Sequence, residues 1–259
     1  MGSAQAQGDL WGRAPQDWAE LQEPHHRPLF VAMLDEGNVG SGTRILDAGC
    51  GGGGVSILAA ERGAQINGLD AAAPLIEMAR QRVPGGDFRV GDIQEMPFDD
   101  HAFEAVIAAN ALQYSEDRVA TLREMKRVSA QDGRVVVGLF SSPEKVEYRV
   151  VFEAVRNTFP EPPPGKGPFE LSGPGVLEQL FQQAEMDVVG SGEVQCEHDY
   201  SDVETFVRAA ASGGPTQAAM QSVGAEKVKE ALAEAVRPYQ AGDGSIHMMS
   251  WFRYVVAAL

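Results

Sequence analysis

The sequence has few cysteines and few basic residues, and each scarcity excludes a class of protein. Two cysteines, Cys50 and Cys196, stand among 259 residues, too few for the disulfide framework of a small secreted protein. The chain has 21 basic and 37 acidic residues, and the net charge of −16 opposes broad contact with nucleic acid phosphates or an anionic membrane surface. We therefore expect a cytoplasmic protein whose partner is a small molecule, with neither nucleic acid nor membrane involved.

Long apolar runs are also absent. No stretch approaches the roughly 20 apolar residues needed to cross a bilayer, and residues 1–8 have neither the basic start nor the apolar centre of a secretion signal. Hydrophobic residues still make up 44% of the chain, which is enough to build a buried core. The composition indicates a globular protein, expected to be a monomer or a homodimer.

Short apolar and β-branched runs alternate with stretches of helical spacing in the first 140 residues. The runs predict strands at 43–47, 64–70, 87–90, 105–109 and 134–140. Helices are predicted between them at 53–62, 74–82 and 117–128. This alternation predicts an α/β fold with a mostly parallel sheet and helices on both of its faces.

The remaining segments depart from that alternation. Residues 10–34 are predicted to be partly helical, and 157–175 to form an extended connection because of Pro160, Pro162, Pro163, Pro164, Pro168 and Pro174. Further predictions are a helix at 176–184, strands at 187–198 and 246–258, and helices within 202–239. We therefore expect a helical cap at 1–39, a core at 40–198 and 241–259, and a helical lid inserted at 199–240.

A run of glycines follows the first predicted strand in LDAGCGGGGVS, residues 46–56. Glycine loses more conformational entropy on folding than any other residue, so such a run indicates a backbone that must lie against a ligand. Gly49, Gly51 and Gly54 have the G-x-G-x-x-G spacing, and Asp70 ends the second strand, where a carboxylate can accept hydrogen bonds from ribose hydroxyls. These features predict an adenosine-containing ligand, and they fit a dinucleotide as well as any other nucleoside.

Other acidic residues discriminate among such ligands. Asp47, two residues before the first glycine, would repel the pyrophosphate of a dinucleotide and suits a cationic amino-acid tail. After the third predicted strand, Asp92 is placed to accept a hydrogen bond from an adenine amino group, while Ile93 packs on the adenine ring. The pattern therefore favours a nucleoside that carries a cationic tail.

Taken together, these pieces resemble the class I S-adenosylmethionine-dependent methyltransferases. The matching segments are ILDAGCGGGG (45–54), GLD (68–70), GDIQEMPF (91–98), FEAVI (103–107) with Asn110, LREMKRV (122–128) and GRVVV (133–137). More narrowly, DWAELQEP (17–24) and WFRYVV (251–256) resemble the bacterial type 11 branch. The resemblance implies a Rossmann-like sheet of seven strands, with the last strand antiparallel and inserted beside the fifth, and S-adenosylmethionine as cofactor.

The resemblance also implies site residues. Its cofactor contacts are Asp47, Ala48, Gly49, Gly51, Asp70, Ala71, Asp92, Ile93 and Asn110. We expect the acceptor pocket to be lined by Gln113, Tyr114, Phe140 and Trp18, and we expect no metal. The resemblance implies that Asp47, Ala48, Gly49 and Gly51 hold the methionine end of the cofactor. It also implies that Asp70 binds the ribose and that Asn110 lies beside the sulfonium.

The sequence leaves the catalytic residues open. Methyl transfer can be accelerated by alignment and exclusion of water, so no fixed catalytic residue is required. His25, His26 and Tyr114 are the candidates for a base, and a solvated pair is the simpler interpretation of the two histidines. The acceptor atom stays open among oxygen, nitrogen and carbon. Two alternatives also remain: an NAD-dependent oxidoreductase, and a protein of this fold that binds S-adenosylmethionine without methylating.

Overall fold

A seven-stranded sheet forms the centre of the molecule in the computed structural model, which describes residues 4–161 and 167–259. The strands β1 to β7 are Arg44–Ala48, Gln65–Asp70, Asp87–Val90, Phe103–Ala109, Ser129–Phe140, Asp187–Tyr200 and Ile246–Ala258. Their order is β3-β2-β1-β4-β5-β7-β6. β1 to β5 pair in parallel, whereas β7 is antiparallel to both β5 and β6. The Rossmann-like sheet with its last strand inserted beside the fifth is confirmed.

Helices cover both faces of this sheet. The helices α1 to α11 are Ala4–Trp11, Pro15–Asp17, Arg27–Glu36, Gly54–Glu61, Ala73–Arg82, Arg118–Val128, Arg149–Asn157, Val176–Gln183, Val203–Ala211, Gly214–Val223 and Ala225–Val236. Between α2 and α3 the chain stays helical through a π turn, Trp18–Gln22, and a 3₁₀ turn, Glu23–His26. Buried side chains of α3, α4 and α5 pack on one face, and those of α6 and α8 on the other.

Burial explains why the central strands were recognisable from sequence. The consecutive residues 135–137 of β5 are fully buried, since a parallel strand in the middle of a sheet is covered on both faces. At the edge, the first nine residues of β6 alternate between exposed and half-buried positions, as a strand covered on one face does. No helix in the described ranges is long and apolar enough to span a bilayer.

The structure differs from the sequence predictions at several boundaries. β5 begins at Ser129 rather than at 134, and β6 continues two residues past 198 to Tyr200. Helix α7 was not predicted, although its buried side chains, Val151, Ala154 and Val155, lie on one face. In the proline-rich connection, Pro168 lies in a 3₁₀ turn. Three of its prolines, Pro162, Pro163 and Pro164, lie outside the described residues.

The N-terminal helices lie over the carboxyl ends of the strands. In α1, Gly8 is buried against the chain just after β2, and a Cβ atom at residue 8 would lie 2.3 Å from the carbonyl oxygen of Ala71. Asp17, at the end of α2, forms an ion pair with Arg208 of α9 at 2.6 Å. Helices α9 to α11 all fall between β6 and β7 in the chain, so this ion pair joins the N-terminal segment to that insertion.

The close approach of α1 to residue 71 gives a testable prediction for Gly8→Ala. In an unconstrained helix this change is favourable by roughly 0.8–1 kcal/mol, but here the new methyl group overlaps a backbone oxygen. We expect α1 to move away from Ala71, so that limited proteolysis within residues 4–11 becomes faster without loss of the core fold. The matched control is Asp9→Ala, at an exposed position of the same helix. Equal cleavage rates in the two variants would contradict the prediction.

Candidate functional site

A cavity of about 780 Å³ opens where the carboxyl ends of β1, β2, β3 and β4 meet. Its walls include the following residues predicted to contact the cofactor: Gly49, Gly51, Asp70, Ala71, Asp92, Ile93 and Asn110. Each of them lies at the end of a parallel strand or in the loop that follows it, which is the position where open α/β sheets bind ligands. Trp11 and Trp18, from the N-terminal helices, form the opposite wall.

The glycine loop is tied to the end of β2 by backbone hydrogen bonds. The amides of Gly49 and Cys50 both donate to the carbonyl oxygen of Leu69, at 2.7 and 3.0 Å. The carboxylate of Asp70 accepts from the amide of Gly51 at 2.9 Å and from that of Ala72 at 2.8 Å. Burial raises the pKa of Asp70, partly opposed by these amide hydrogen bonds. The loop and the carboxylate therefore hold each other in place at the cavity wall.

Asp47 lies outside the cavity wall. Its side chain is 1% exposed, and its Oδ2 accepts hydrogen bonds from the hydroxyl and the amide of Ser56, at 2.7 and 3.2 Å. Its Oδ1 is buried without a hydrogen-bond partner among the described residues. Burial raises the pKa of Asp47 to about 7, and the nearby charges of Glu23 and Asp70 add to this effect. Ala48 is equally buried, so the cavity is bordered by Gly49 and Gly51 rather than by these two predicted contacts.

Glu23 was not identified from the sequence, although it touches the glycine loop. The residue is 3% exposed, its Oε1 accepts from the amide of Gly52 at 3.0 Å, and its Oε2 pairs with Arg82 at 2.5 Å. Arg82 also donates to the carbonyl oxygen of Gly52, at 2.6 Å. With Asp47 and Asp70, Glu23 completes a set of three carboxylates around the loop. The segment DWAELQEP contained it, but a contact across 29 residues gives no local signal.

Asn110 has a conformation that few residues other than glycine adopt. Its φ is +54°, in the left-handed region that asparagine tolerates better than most residues. The backbone amide donates to the carbonyl oxygen of Gly138 at 2.8 Å, which fixes the turn after β4. Both polar atoms of the Asn110 side chain are buried without a partner among the described residues. Strained residues of this kind cluster at functional sites.

A second cavity, of about 460 Å³, adjoins the first. The residues that line both cavities are Trp11, Trp18, His26, Asn110 and Tyr114. The four residues predicted to bind the acceptor all line this second cavity: Gln113, Tyr114, Phe140 and Trp18. Burial raises the pKa of Tyr114, so its hydroxyl stays protonated at neutral pH. Residues of α7, α9 and α10 complete the wall.

The interpretation of His25 and His26 as a solvated pair is wrong. The 3₁₀ turn before α3 directs the His26 ring into the interior, where it is 3% exposed and its ring centroid lies 5.1 Å from that of Phe252. Burial lowers the pKa of His26 to about 3, and the neighbouring His25 contributes. His25 packs on Tyr200 and His198 and lines neither cavity. Of the two, only His26 is placed to meet a ligand.

The described ranges contain no cluster of three or more histidine, cysteine, aspartate or glutamate side chains arranged to hold a metal ion. Asp99 and Asp100 lie in the turn before β4, and Asp100 pairs with Arg127 at 2.7 Å. The acidic residues at the glycine loop are engaged with backbone amides, Ser56 and Arg82. The polar groups of the site are thus suited to an organic ligand.

Known proteins share this fold and part of this sequence. Residues 46–137 match the type 11 family model described as a methyltransferase domain. A malonyl-[acyl-carrier protein] O-methyltransferase of Serratia marcescens is 34% identical over 110 residues, which cover 42% of this chain and 43% of that protein. A demethylmenaquinone methyltransferase of Thermotoga maritima is 35% identical over 96 residues, or 36% of this chain and 42% of that protein. The chain thus spans about half the length of the curated relatives that it matches.

The likeness in fold extends further than the likeness in sequence. The solved structure of the [4+2]-cyclase SpnF superposes with a TM-score of 0.59, covers 90% of this chain and 80% of that chain, and is 20% identical. The family model covers the last three residues of β1, all of β2 to β4 and most of β5, including the glycine loop, Asp70 and Asp92. The strand order, with β7 between β5 and β6, is the one that the resemblance predicted. The chain therefore contains a segment, residues 46–137, that matches a methyltransferase domain, within a fold that it shares with that solved structure.

Proposed function

We propose that this protein binds S-adenosylmethionine in the first cavity and methylates a small-molecule acceptor held in the second. The observation that carries the proposal is the set of carboxylates at the glycine loop, Glu23, Asp47 and Asp70. The single cation described in contact with that loop, Arg82, is already paired with Glu23. Such a site attracts a ligand that carries an ammonium group and a sulfonium, and repels a pyrophosphate.

Each part of the cofactor has residues to hold it in this proposal. Asp70 accepts hydrogen bonds from the ribose hydroxyls, while Asp92 and Ile93 hold the adenine. Gly49 and Gly51 border the methionine end, where the field of Asp47 and Glu23 favours its ammonium group. Asn110 lies at the junction of the two cavities, so we assign its unpaired amide to the region of the sulfonium. When bound, the sulfonium supplies an activated methyl carbon.

The contribution of the protein is alignment and exclusion of water. Two reactants held in a fixed geometry avoid much of the entropic cost of meeting, and this effect is worth about 7–11 kcal/mol in well-oriented systems. We assign the enclosure to the cap at 1–39 and the inserted helices at 199–240, which meet through Asp17 and Arg208. The ring pair of Trp11 and Trp18, with centroids 4.8 Å apart, closes the N-terminal side.

The proposal is tested by binding and turnover measured on one preparation. We expect S-adenosylmethionine to raise the melting temperature, NAD to leave it unchanged, and Asp70→Ala to abolish the response. Turnover is followed as S-adenosylhomocysteine formed with a panel of uncharged aromatic compounds, and a methylated product by mass spectrometry confirms transfer. Protection by NAD but not by S-adenosylmethionine would favour the oxidoreductase. Cofactor binding without any product across the panel would favour a protein that no longer methylates.

A further inference from the structure

The second cavity has the chemistry of a binding site for an aromatic alcohol. We infer that it takes an uncharged phenol whose hydroxyl donates a hydrogen bond to Nε2 of His26, and this inference rests on the proposed function. Four observations support it: the charge of the lining, the aromatic rings of the walls, the unpaired nitrogen of His26, and the place of His26 in the lining of both cavities.

The cavity lining carries no formal charge. None of its described residues is an aspartate, glutamate, lysine or arginine. His26 is neutral at physiological pH because burial lowers its pKa to about 3, and Tyr114 and Tyr148 stay protonated because burial raises their pKa values. An ionised carboxylate or ammonium moved from water into such a cavity would lose its hydration and meet no side chain of opposite charge in the lining. The lining therefore selects against charged acceptors.

Aromatic rings form much of the wall. Trp11, Trp18, Phe140, Tyr148 and Phe152 all face the cavity. The rings of Phe140 and Tyr148 are nearly parallel, with an interplanar angle of 8° and centroids 6.3 Å apart. Aromatic pairs stack with an offset or meet edge to face, so a planar conjugated ligand gains contacts that an aliphatic chain does not.

His26 presents the unpaired nitrogen. Its Nε2 is buried and has no hydrogen-bond partner among the described residues. The ring is surrounded by those of Trp18, Phe30, Phe140 and Phe252, with centroid separations of 6.1, 6.0, 6.5 and 5.1 Å. A buried polar atom left unpaired costs about 1–3 kcal/mol. A ligand hydroxyl that donates to this nitrogen offsets the cost, whereas an ether or a hydrocarbon does not.

The position of His26 matches the requirement for methyl transfer. It lines both cavities, as do Asn110 and Tyr114, so a hydroxyl bound to Nε2 would lie where the two cavities join. Because its pKa is lowered to about 3, the imidazole stays neutral and can accept a hydrogen bond from a phenol, whose pKa is about 10, without taking its proton. His26 would thus act as a positioning residue that orients the acceptor oxygen through this hydrogen bond.

The experiment compares probes that differ in one group, using full-length protein without cofactor. Isothermal titration should give 2-naphthol an affinity at least about tenfold higher than 2-methoxynaphthalene, which is the effect of one hydrogen bond worth about 1.4 kcal/mol. We expect no binding of 2-naphthoate at the same concentrations. In His26→Phe, the two neutral probes should bind within about twofold of each other. The exposed His247→Gln variant serves as the control and should keep the preference.

A spectroscopic measurement on the unmodified sequence covers the case in which His26→Phe does not fold. In protein labelled with ¹⁵N-histidine, 2-naphthol should shift one imidazole nitrogen resonance, and 2-methoxynaphthalene should leave it in place. The inference is overturned if the wild-type protein binds the two neutral probes equally, if 2-naphthoate binds best, or if His26→Phe keeps the preference.

Failure of the inference and failure of the proposed function give different results. A protein that binds S-adenosylmethionine but shows no hydroxyl preference overturns the assignment of His26 alone. A protein that recognises 2-naphthol through His26 but does not bind S-adenosylmethionine overturns the methyltransferase proposal alone. Because both ligands are titrated separately into the same preparation, the two outcomes are read independently.

Discussion

Replacing Gly49 with alanine is expected to lower the free energy of unfolding by about 2–5 kcal/mol, the sum of left-handed strain and overpacking. The residue has a φ of +79°, and a Cβ atom there would lie 2.4 Å from the Cβ of Ala111. Gly49 follows the last residue of β1 and Ala111 follows Asn110, so the new methyl group pushes apart the two loops that border the cofactor cavity. We also expect cofactor affinity to fall in any fraction that folds.

A matched control separates the two costs. Gly42 has nearly the same φ, +81°, but apart from its chain neighbours no atom of the described residues lies within 4 Å of a Cβ placed there. Gly42→Ala should therefore cost only the left-handed strain, about 1–2 kcal/mol, and leave cofactor binding unchanged. Urea unfolding of both variants gives the comparison. Equal losses of stability would contradict the steric role of Gly49.

Replacing Asp47 with asparagine is expected to change the pH dependence of stability. A carboxyl group whose pKa rises from 3.8 to about 7 on folding stabilises the protein below pH 3.8, and this contribution is lost as the pH rises through about 7. The loss amounts to about 4 kcal/mol across that range. Asp47→Asn removes this titration, so the variant should gain stability relative to the wild type between about pH 4 and pH 8.

Two measurements check the Asp47 prediction. Urea unfolding without cofactor gives the free energy of unfolding of both proteins near the two ends of that pH range. Relative to the wild type, the variant should be more stable at the higher pH than at the lower pH. Titration of S-adenosylmethionine at about pH 6, in buffers of different ionisation enthalpy, should show protons released by the wild type as Asp47 ionises beside the ammonium group. We expect the variant to release fewer protons and to bind at least about tenfold more weakly. If the free energy of unfolding of the variant and of the wild type depends on pH in the same way, ionisation of Asp47 is not the source of that dependence.

Local patterns in the sequence were sufficient to predict the sheet and to bring together much of the lining of the first cavity. Strands β1 to β5 are short apolar runs with turn residues at their ends, and parallel pairing brings their carboxyl ends together without further information. For that reason the strand pattern alone placed Gly49, Asp70 and Asp92 at one edge of the sheet. The spacing of the glycines and Asp70 did not depend on knowing how the helices pack.

Features that depend on packing between distant segments were not predictable in the same way. The contact of Glu23 with Gly52 joins residues that are 29 positions apart in the chain. The hydrophobic periodicity of the sequence gives no information about such a contact. The burial of His26 depends on the π and 3₁₀ turns before α3, which rotate the ring inward against Phe252. Similarly, the second cavity exists only because α7, α9 and α10 close over the turn after β4. Its lining could be predicted in part, but its lack of charge could not.

The most direct test of the account is a crystal structure of the protein with S-adenosylhomocysteine. We expect the ribose hydroxyls within hydrogen-bond distance of Asp70, the adenine between Ile93 and the carboxylate of Asp92, and the ammonium group at the glycine loop near Asp47. Electron density for the thioether sulfur should lie beside Asn110, with open space leading toward His26. A complex in which the ligand binds elsewhere, or in which the same cleft holds the pyrophosphate of NAD, would contradict the central claim.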